Sequence, residues 1–282
     1  MKALRRADMV SDWPKAAVVG WPAKHSLSPL IMKTWLDETG QPGDYVIIEC
    51  EPDAFAEAVR ARFHAGLVGV NVTVPHKEAA LQAADTASDA ASAIGAANVL
   101  VWRQGRIEAD NTDHVGIARA LESDSGSGPA VLIGSGGAAR AALYHLKSQD
   151  REIRILNRTA DRAKALAQDF GLMAEIYALD DAAAFEGASL VINATSLGMT
   201  GQPPLTVDLS ATASDALVFD MVYAPLKTEL LAQAEQLGRR TADGLIMLVG
   251  QARPAFEAFF GAPAPAHDEV RGALLAALEQ RA

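Results

Sequence analysis

The stretch AVLIGSGGAARAALYHL, Ala130–Leu146, decides the fold. Ala130 to Ile133 are an apolar run of strand length, Gly134 to Gly137 supply a turn, and the alanine-rich remainder reads as a helix. Gly134 and Gly136 let the chain turn tightly and bring its backbone close to a pyrophosphate at the helix N-terminus, with Ala139 at the third position of the pattern. Glycine spacing alone is weak; its place between a strand and a helix makes it a dinucleotide-binding signature. The next strand, EIRILNR (152–158), ends roughly 20 residues on, where an NAD enzyme carries an acid for the ribose hydroxyls. Here stand Asn157, Arg158 and Thr159, with Arg162 one helical turn further. A guanidinium fork suits a 2′-phosphate, so the sequence points to NADP. Arg162 reads equally well as a solvated helix residue; Arg158 does not.

The alternation continues downstream. LVINATS (190–196) places Asn193, Thr195 and Ser196 at a strand end, the edge where open α/β sheets bind ligands, and ALVFDMVY (216–223) is a further strand. This series implies a parallel sheet with helices on both faces. Upstream, the small-residue segment SDSGSGP (123–129) marks a junction. Before it lies an earlier series. KAAVVGW (15–21), DYVIIEC (44–50) and VGVNVTV (68–74) are strands, SPLIMKTWLDETG (28–40) and EPDAFAEAVRARFHAG (51–66) are helices, and a helical stretch runs from about Glu78 to Ala93. NVLVWRQGRIEADNT (98–112) reads as a hairpin turning at Gln104-Gly105. GLIMLVGQARPAFEAFFG (244–261) and AHDEVRGALLAALEQ (266–280) are helical and apolar enough to pack back on the body. Two α/β domains with a cleft between them are expected.

A net charge of −10 argues against nucleic acid and anionic membrane surfaces. No apolar run reaches the length of about 20 residues that a membrane helix needs. The opening MKALRRADMVSDWP has no apolar core of a secretory signal, so a cytoplasmic protein is expected. One cysteine, Cys50, excludes an intramolecular disulfide, and the six histidines do not cluster at metal-ligand spacing.

NVTVPHK (71–77) carries unusual cargo for a strand that enters through AGLVGV. Val70, Val72 and Val74 alternate as in a half-buried strand, which puts Asn71 and Thr73, and Lys77 past Pro75, on the other parity. An amide, a hydroxyl and an amine at the end of an interior strand suggest a site.

Together these pieces resemble the shikimate dehydrogenase family over nearly the whole chain. The resemblance runs through HSLSP (25–29), NVTVPHK, GAAN (95–98), NTD (111–113), GSGGAAR, NRTADRA, NATSLGM, DMVYAP and LVGQA, in this order. It implies reversible hydride transfer between NADPH and 3-dehydroshikimate in the aromatic amino-acid pathway. It also implies a substrate domain of residues 1–112 plus 248–282, to which the C-terminal helices return, and a Rossmann-type NADP-binding domain of residues 113–247. Lys77 and Asp113 match the catalytic pair: a cation and proton source beside a ketone oxygen lowers the barrier as hydride arrives at carbon. Ser26 and Ser28 match carboxylate-holding serines, and Asn71, Thr73, Asn98 and Gln251 match residues around the ring hydroxyls. Tyr223 matches a tyrosine near the substrate. The cofactor site by the same resemblance comprises Gly134, Ser135, Gly136, Gly137, Ala138, Asn157, Arg158, Thr159, Arg162, Thr195, Ser196, Met221 and Gly244. No metal is implied, and the chain is expected as a monomer or homodimer.

Four positions depart from the family pattern. Met32 stands for a histidine, Val99 for a threonine and His114 for a glycine, and Pro254 is expected to interrupt the last long helix beyond Gln251. They read either as tolerated variation or as a paralogue with a shifted cyclic hydroxy acid such as quinate. Intact Ser26, Ser28 and Arg158 favour shikimate and NADP.

Overall fold

The structure, a computed structural model, describes residues 13–265 and 267–281. Most of the opening segment, read above as lacking a secretory signal, lies outside the described residues. Residues 15–110 supply strands β1 (Lys15–Gly20), β2 (Asp44–Glu49), β3 (Leu67–Val72), β4 (Thr86–Ala87), β5 (Val99–Arg103) and β6 (Arg106–Asp110). Between them run helices α1 (Ser28–Thr39), α2 (Phe55–His64), α3 (Lys77–Ala83) and α4 (Asp89–Ile94). The strands form one sheet in the order β2-β1-β3-β5-β6-β4, so β3 is interior. β1 is parallel to both β2 and β3, while β5 and β6 form the expected antiparallel hairpin. Its turn holds Gln104 at φ 50° and Gly105 at φ 79°, the twist that two-residue hairpins favour.

The second half contains β7 (Ala130–Ile133), β8 (Ile153–Leu156), β9 (Ala174–Tyr177), β10 (Leu190–Asn193), β11 (Leu217–Asp220) and β12 (Arg240–Ala242). Its helices are α5 (Asp113–Ala120), α6 (Gly137–Leu146), α7 (Ala160–Asp169), α8 (Glu229–Gln236), α9 (Gly244–Phe260) and α10 (His267–Glu279). All strand pairs here are parallel, in the order β9-β8-β7-β10-β11-β12. This is the doubly wound arrangement, with its switch point between β7 and β10. β7, β10 and β11 are buried along their whole length. Their alternate residues feed two cores. Leu132, Ile192 and Phe219 face the side of α5 and α6, and Val131, Val191 and Val218 face Phe185, Leu230 and Leu231.

Helix α9 belongs to both halves. Met247 joins the core of the second sheet, whereas Leu245, Val249, Ala252 and Phe256 join Trp35, Tyr45 and Val99 over the first. Pro254 lies inside α9 and does not end it, contrary to the expected interruption. An internal proline costs about 3 kcal/mol or more. Burial of Phe256, Phe259 and Phe260, at about 1.5–3 kcal/mol each, outweighs that, and all three are buried.

The helix expected over 78–93 is instead two. Asp85 accepts the Ile107 N–H (2.7 Å) and pairs with Arg60, which draws the chain into β4. Ser88 then caps α4 by accepting the Ala91 N–H (3.0 Å). Alanine content had masked this break. Strands β9 and β12, short and partly exposed, carried no alternation that would have announced them.

Candidate active site

β3 delivers the NVTVPHK segment to the junction of the two halves, where Lys77 lies against Gly137 of α6. Asn71 is buried on the strand, the chain turns over Thr73–His76, and Lys77 opens α3. The Lys77 ammonium donates to Asp113 Oδ2 at 2.6 Å, with side chains only 11% and 4% exposed. Asp113 is the first residue of α5, and the turn before it is pinned by side chains: Asn111 Oδ1 accepts the Asp113 N–H (3.0 Å) and Asn98 Oδ1 accepts the Thr112 N–H (2.7 Å). The Asn98 amide lies within reach of Asp113 Oδ1 (3.0 Å), Thr112 Oγ1 (3.0 Å) and Gln251 Oε1 (3.1 Å). Two N–H hydrogens thus serve three acceptors, and Gln251 is itself held by donating to the Leu248 carbonyl (3.0 Å). Buried polar groups are costly unless satisfied, and this network satisfies them while leaving Lys77 two further donors.

Packing that the sequence did not advertise sets this geometry. A Cβ on Gly116 would stand 2.4 Å from the Met247 carbonyl oxygen, and one on Gly250 would stand 3.0 Å from the Gly116 Cα. Helices α5 and α9 therefore meet backbone to backbone, which brings Gln251 against Thr112 and Asn98. Glycine within a helical pattern was the available signal. Tyr45 on β2 is a second unforeseen member: its hydroxyl donates to Asn71 Oδ1 at 2.7 Å, and burial holds its pKa well above the usual phenol value. The neutral phenol presents a fixed donor and thereby orients the Asn71 amide. Beside Lys77, the buried His76 stacks on Phe55 and lies 2.8 Å from the Cys50 carbonyl. Desolvation lowers its pKa, which keeps the ring neutral.

The remaining expected substrate residues are placed less tightly. Ser26 Oγ accepts the Ser28 N–H (3.2 Å), and Tyr223, whose pKa burial raises, is hydrogen-bonded to the Leu27 backbone between them. These three share no hydrogen bond with the Lys77 network among the described residues. Thr73 is half-buried and donates its N–H to Val19 (2.9 Å). Of the departures, Met32 and Val99 are buried in the apolar core over the first sheet. The His114 ring meets Tyr144 of α6 at 5.6 Å.

In the second half, the expected cofactor residues gather at the carboxyl ends of β7, β8, β10 and β11. Gly134 has φ 114°, and a Cβ there would lie 2.9 Å from Thr195 Cγ2. Gly136, the N-cap of α6, faces open space, and no side chain caps that helix. The first-turn amides, with no acid among them, are free for a phosphate. Ser135, Gly137 and Ala138 complete this turn and are partly exposed. Asn193 Oδ1 accepts the Thr195 N–H (3.0 Å) and hydroxyl (2.7 Å), shaping the loop through Ser196. Asn193 Nδ2 in turn donates to the buried Asp220 (2.9 Å). Met221 N–H bonds the Asn193 carbonyl, and Gly244 passes so close that a Cβ would meet the Met221 carbonyl oxygen at 2.4 Å. Beyond β8, Asn157 donates to the Thr159 carbonyl (2.8 Å), while Arg158 and Arg162 are exposed. Neither guanidinium has a hydrogen bond or ion pair among the described residues. Glycine-lined space, unpaired amides and free guanidinia fit a dinucleotide bearing an extra phosphate.

Comparison with known proteins agrees with this geometry. Residues 18–100 match the family model of the shikimate dehydrogenase substrate binding domain, and residues 117–203 match that of shikimate / quinate 5-dehydrogenase. A shikimate dehydrogenase (NADP(+)) of Paracoccus denitrificans is 46% identical over 271 residues, 93% of this chain and 96% of the relative. That of Methylobacterium radiotolerans is 46% identical over 275 residues, 94% and 98% of the two chains. The Thermus thermophilus shikimate 5-dehydrogenase, solved with NADP(H) and shikimate, superposes with a TM-score of 0.83 at 33% identity, covering 94% of this chain and 99% of that one. The two-sheet fold, the buried lysine–aspartate pair and these likenesses in sequence and structure place the chain in the shikimate dehydrogenase family.

Proposed function

We propose that the protein reduces 3-dehydroshikimate to shikimate with NADPH, reversibly, within the shikimate pathway of aromatic amino-acid biosynthesis. The observation that carries this reading is the buried Lys77–Asp113 pair, 2.6 Å apart, with Lys77 packed against Gly137 of the Gly-rich turn. Bound NADPH supplies a hydride to the ketone carbon. Lys77 Nζ donates the proton to the oxygen, so that ketone, hydride and proton balance as the alcohol; the Asp113 carboxylate stabilises the ammonium, and the neutral amine left behind takes its next proton from solvent. Asn98 fixes Asp113 and, with Asn71, Thr73 and Gln251, meets the ring hydroxyls. Ser26 and Ser28, near Tyr223, hold the carboxylate. Arg158, with Arg162 behind it, holds the 2′-phosphate, and the Gly134–Ala138 turn holds the pyrophosphate. Thr195, Ser196, Met221 and Gly244 wall the nicotinamide side.

In this reading, residues 1–112 and 248–282 form the substrate domain and residues 113–247 the NADP-binding domain. Every assigned group comes from one chain, so activity needs no second subunit, and a monomer or homodimer serves equally. The chemistry is that of a cytoplasmic enzyme, in keeping with the unpaired Cys50. Met32 and Val99 lie in apolar packing, which favours tolerated variation over a shift to quinate. A steady-state assay of NADPH formation tests the proposal, with shikimate and quinate crossed against NADP and NAD. Activity confined to shikimate with NADP is expected; preference for quinate or NAD would overturn the substrate or cofactor assignment.

A further inference from the structure

Gly137 has no place in the glycine pattern of the turn. That pattern uses Gly134, Gly136 and Ala139, and Gly137 falls between them. Nor does its backbone demand glycine, since its φ is outside the left-handed region. What demands it is Lys77. A Cβ on Gly137 would stand 2.9 Å from Lys77 Cβ and 3.2 Å from Lys77 Cδ. Cβ is fixed to the backbone and cannot swing aside as a side-chain tip can, so one of the two elements would have to move.

The first turn of α6 cannot retreat freely. One turn on, Arg140 Nε donates to the Ile94 carbonyl (2.6 Å), its Nη1 pairs with Asp169 (2.8 Å), and its Nη2 occupies the space a Cβ on Gly95 would need. A turn beyond, Tyr144 meets His114. Residues 137 and 140 recur at helical spacing on one face, so the first turn of α6 is tied along a seam to the half that carries Lys77 through Ile94 and Gly95, while Tyr144 packs on α5, whose Asp113 holds Lys77.

We infer that Gly137 is a positioning residue for Lys77: its missing side chain lets the lysine stem lie against the turn that holds the cofactor, and Arg140 keeps that seam closed. This rests on the reading of Lys77 as the proton donor. The test is Gly137→Ala, which introduces a better helix former, so any loss comes from the contact and not from helix propensity. kcat for shikimate oxidation is expected to fall about 10- to 100-fold, a larger change than that in KM for NADP, because the added methyl points at Lys77 and keeps the Gly137 N–H that the pyrophosphate turn uses. Gly136→Ala, whose Cβ meets only open space on the cofactor side, is expected to do the reverse and raise KM for NADP. A crystal structure of Gly137→Ala should show the Lys77–Asp113 contact lengthened beyond 2.6 Å. Arg140→Gln opens the same seam without adding an atom and should lower kcat in the same pattern, which decides the matter should Gly137→Ala not fold. Retained kcat in Arg140→Gln and Gly137→Ala, a rise in KM for NADP alone in Gly137→Ala, or an unmoved Lys77 would overturn the inference. If the unaltered protein lacked activity on shikimate, the functional reading would fall, while the crystal structure would still decide the contact.

Discussion

Lys77→Met separates the charge of Lys77 from its bulk. Methionine keeps an unbranched apolar stem against Gly137 and removes the ammonium. Asp113 is then left with a side chain 4% exposed and one remaining side-chain donor, Asn98 Nδ2 at 3.0 Å. Breaking a buried pair by removing one partner destabilises by about 3–5 kcal/mol. The surviving hydrogen bond places this variant near the lower end, about 3 kcal/mol. At about 2–4 °C per kcal/mol for a chain approaching this size, the melting temperature should fall by about 6–12 °C. Saturating NADP should still raise that temperature, because the residues assigned to the cofactor are untouched; about 2.7 kcal/mol is expected at a hundredfold excess over Kd. kcat should drop by roughly 10²–10⁴, the usual contribution of a positioned proton donor. Adding Asp113→Asn removes the orphaned charge, so the double variant should recover most of the stability and none of the activity. Thermal melts with and without NADP, alongside steady-state kinetics, check each part. A single variant that melts like the unaltered protein, or a double variant no more stable than the single, would refute the claim that the pair is a desolvated ion pair. Full kcat in Lys77→Met would refute the proton role.

Three further outcomes are expected. Arg158→Asp should reverse the preference for NADP over NAD, since a charge-assisted hydrogen bond contributes about 1.5–3 kcal/mol; an unchanged ratio would show that Arg158 does not read the phosphate. Tyr45→Phe strands the buried Asn71 Oδ1, so it should destabilise by about 1–3 kcal/mol and raise KM for shikimate with NADP binding intact. Equal KM values would remove Tyr45 from the site. The folded-state pKa of His76 lies below its ordinary 6.5, so its contribution is fully present above pH 6.5 and is lost as pH falls through the lowered value. Relative to His76→Phe, the unaltered protein should therefore lose stability from pH 6.5 downward, read by denaturant melts; parallel curves would contradict it.

Local sequence was enough wherever a residue's role depends on its neighbours in the chain. The strand, Gly-rich turn and helix of Ala130–Leu146 follow from glycine freedom and apolar runs, and the Gln104-Gly105 hairpin follows from turn chemistry. Arg158 was legible because the strand before it fixes where it must emerge. The parity of Asn71, Thr73 and Lys77 announced a site. The assignment of Lys77 to Asp113 came from resemblance, since nothing in the spacing of residues so far apart requires them to meet. Only the tertiary structure brought Tyr45 to Asn71, Gln251 to Asn98 and Gly137 to Lys77. It also carried α9 through Pro254 and split the alanine-rich stretch at Asp85. These are decisions of packing between distant segments: steric contact and buried hydrogen bonds act through space, and the order of residues along the chain does not encode them locally.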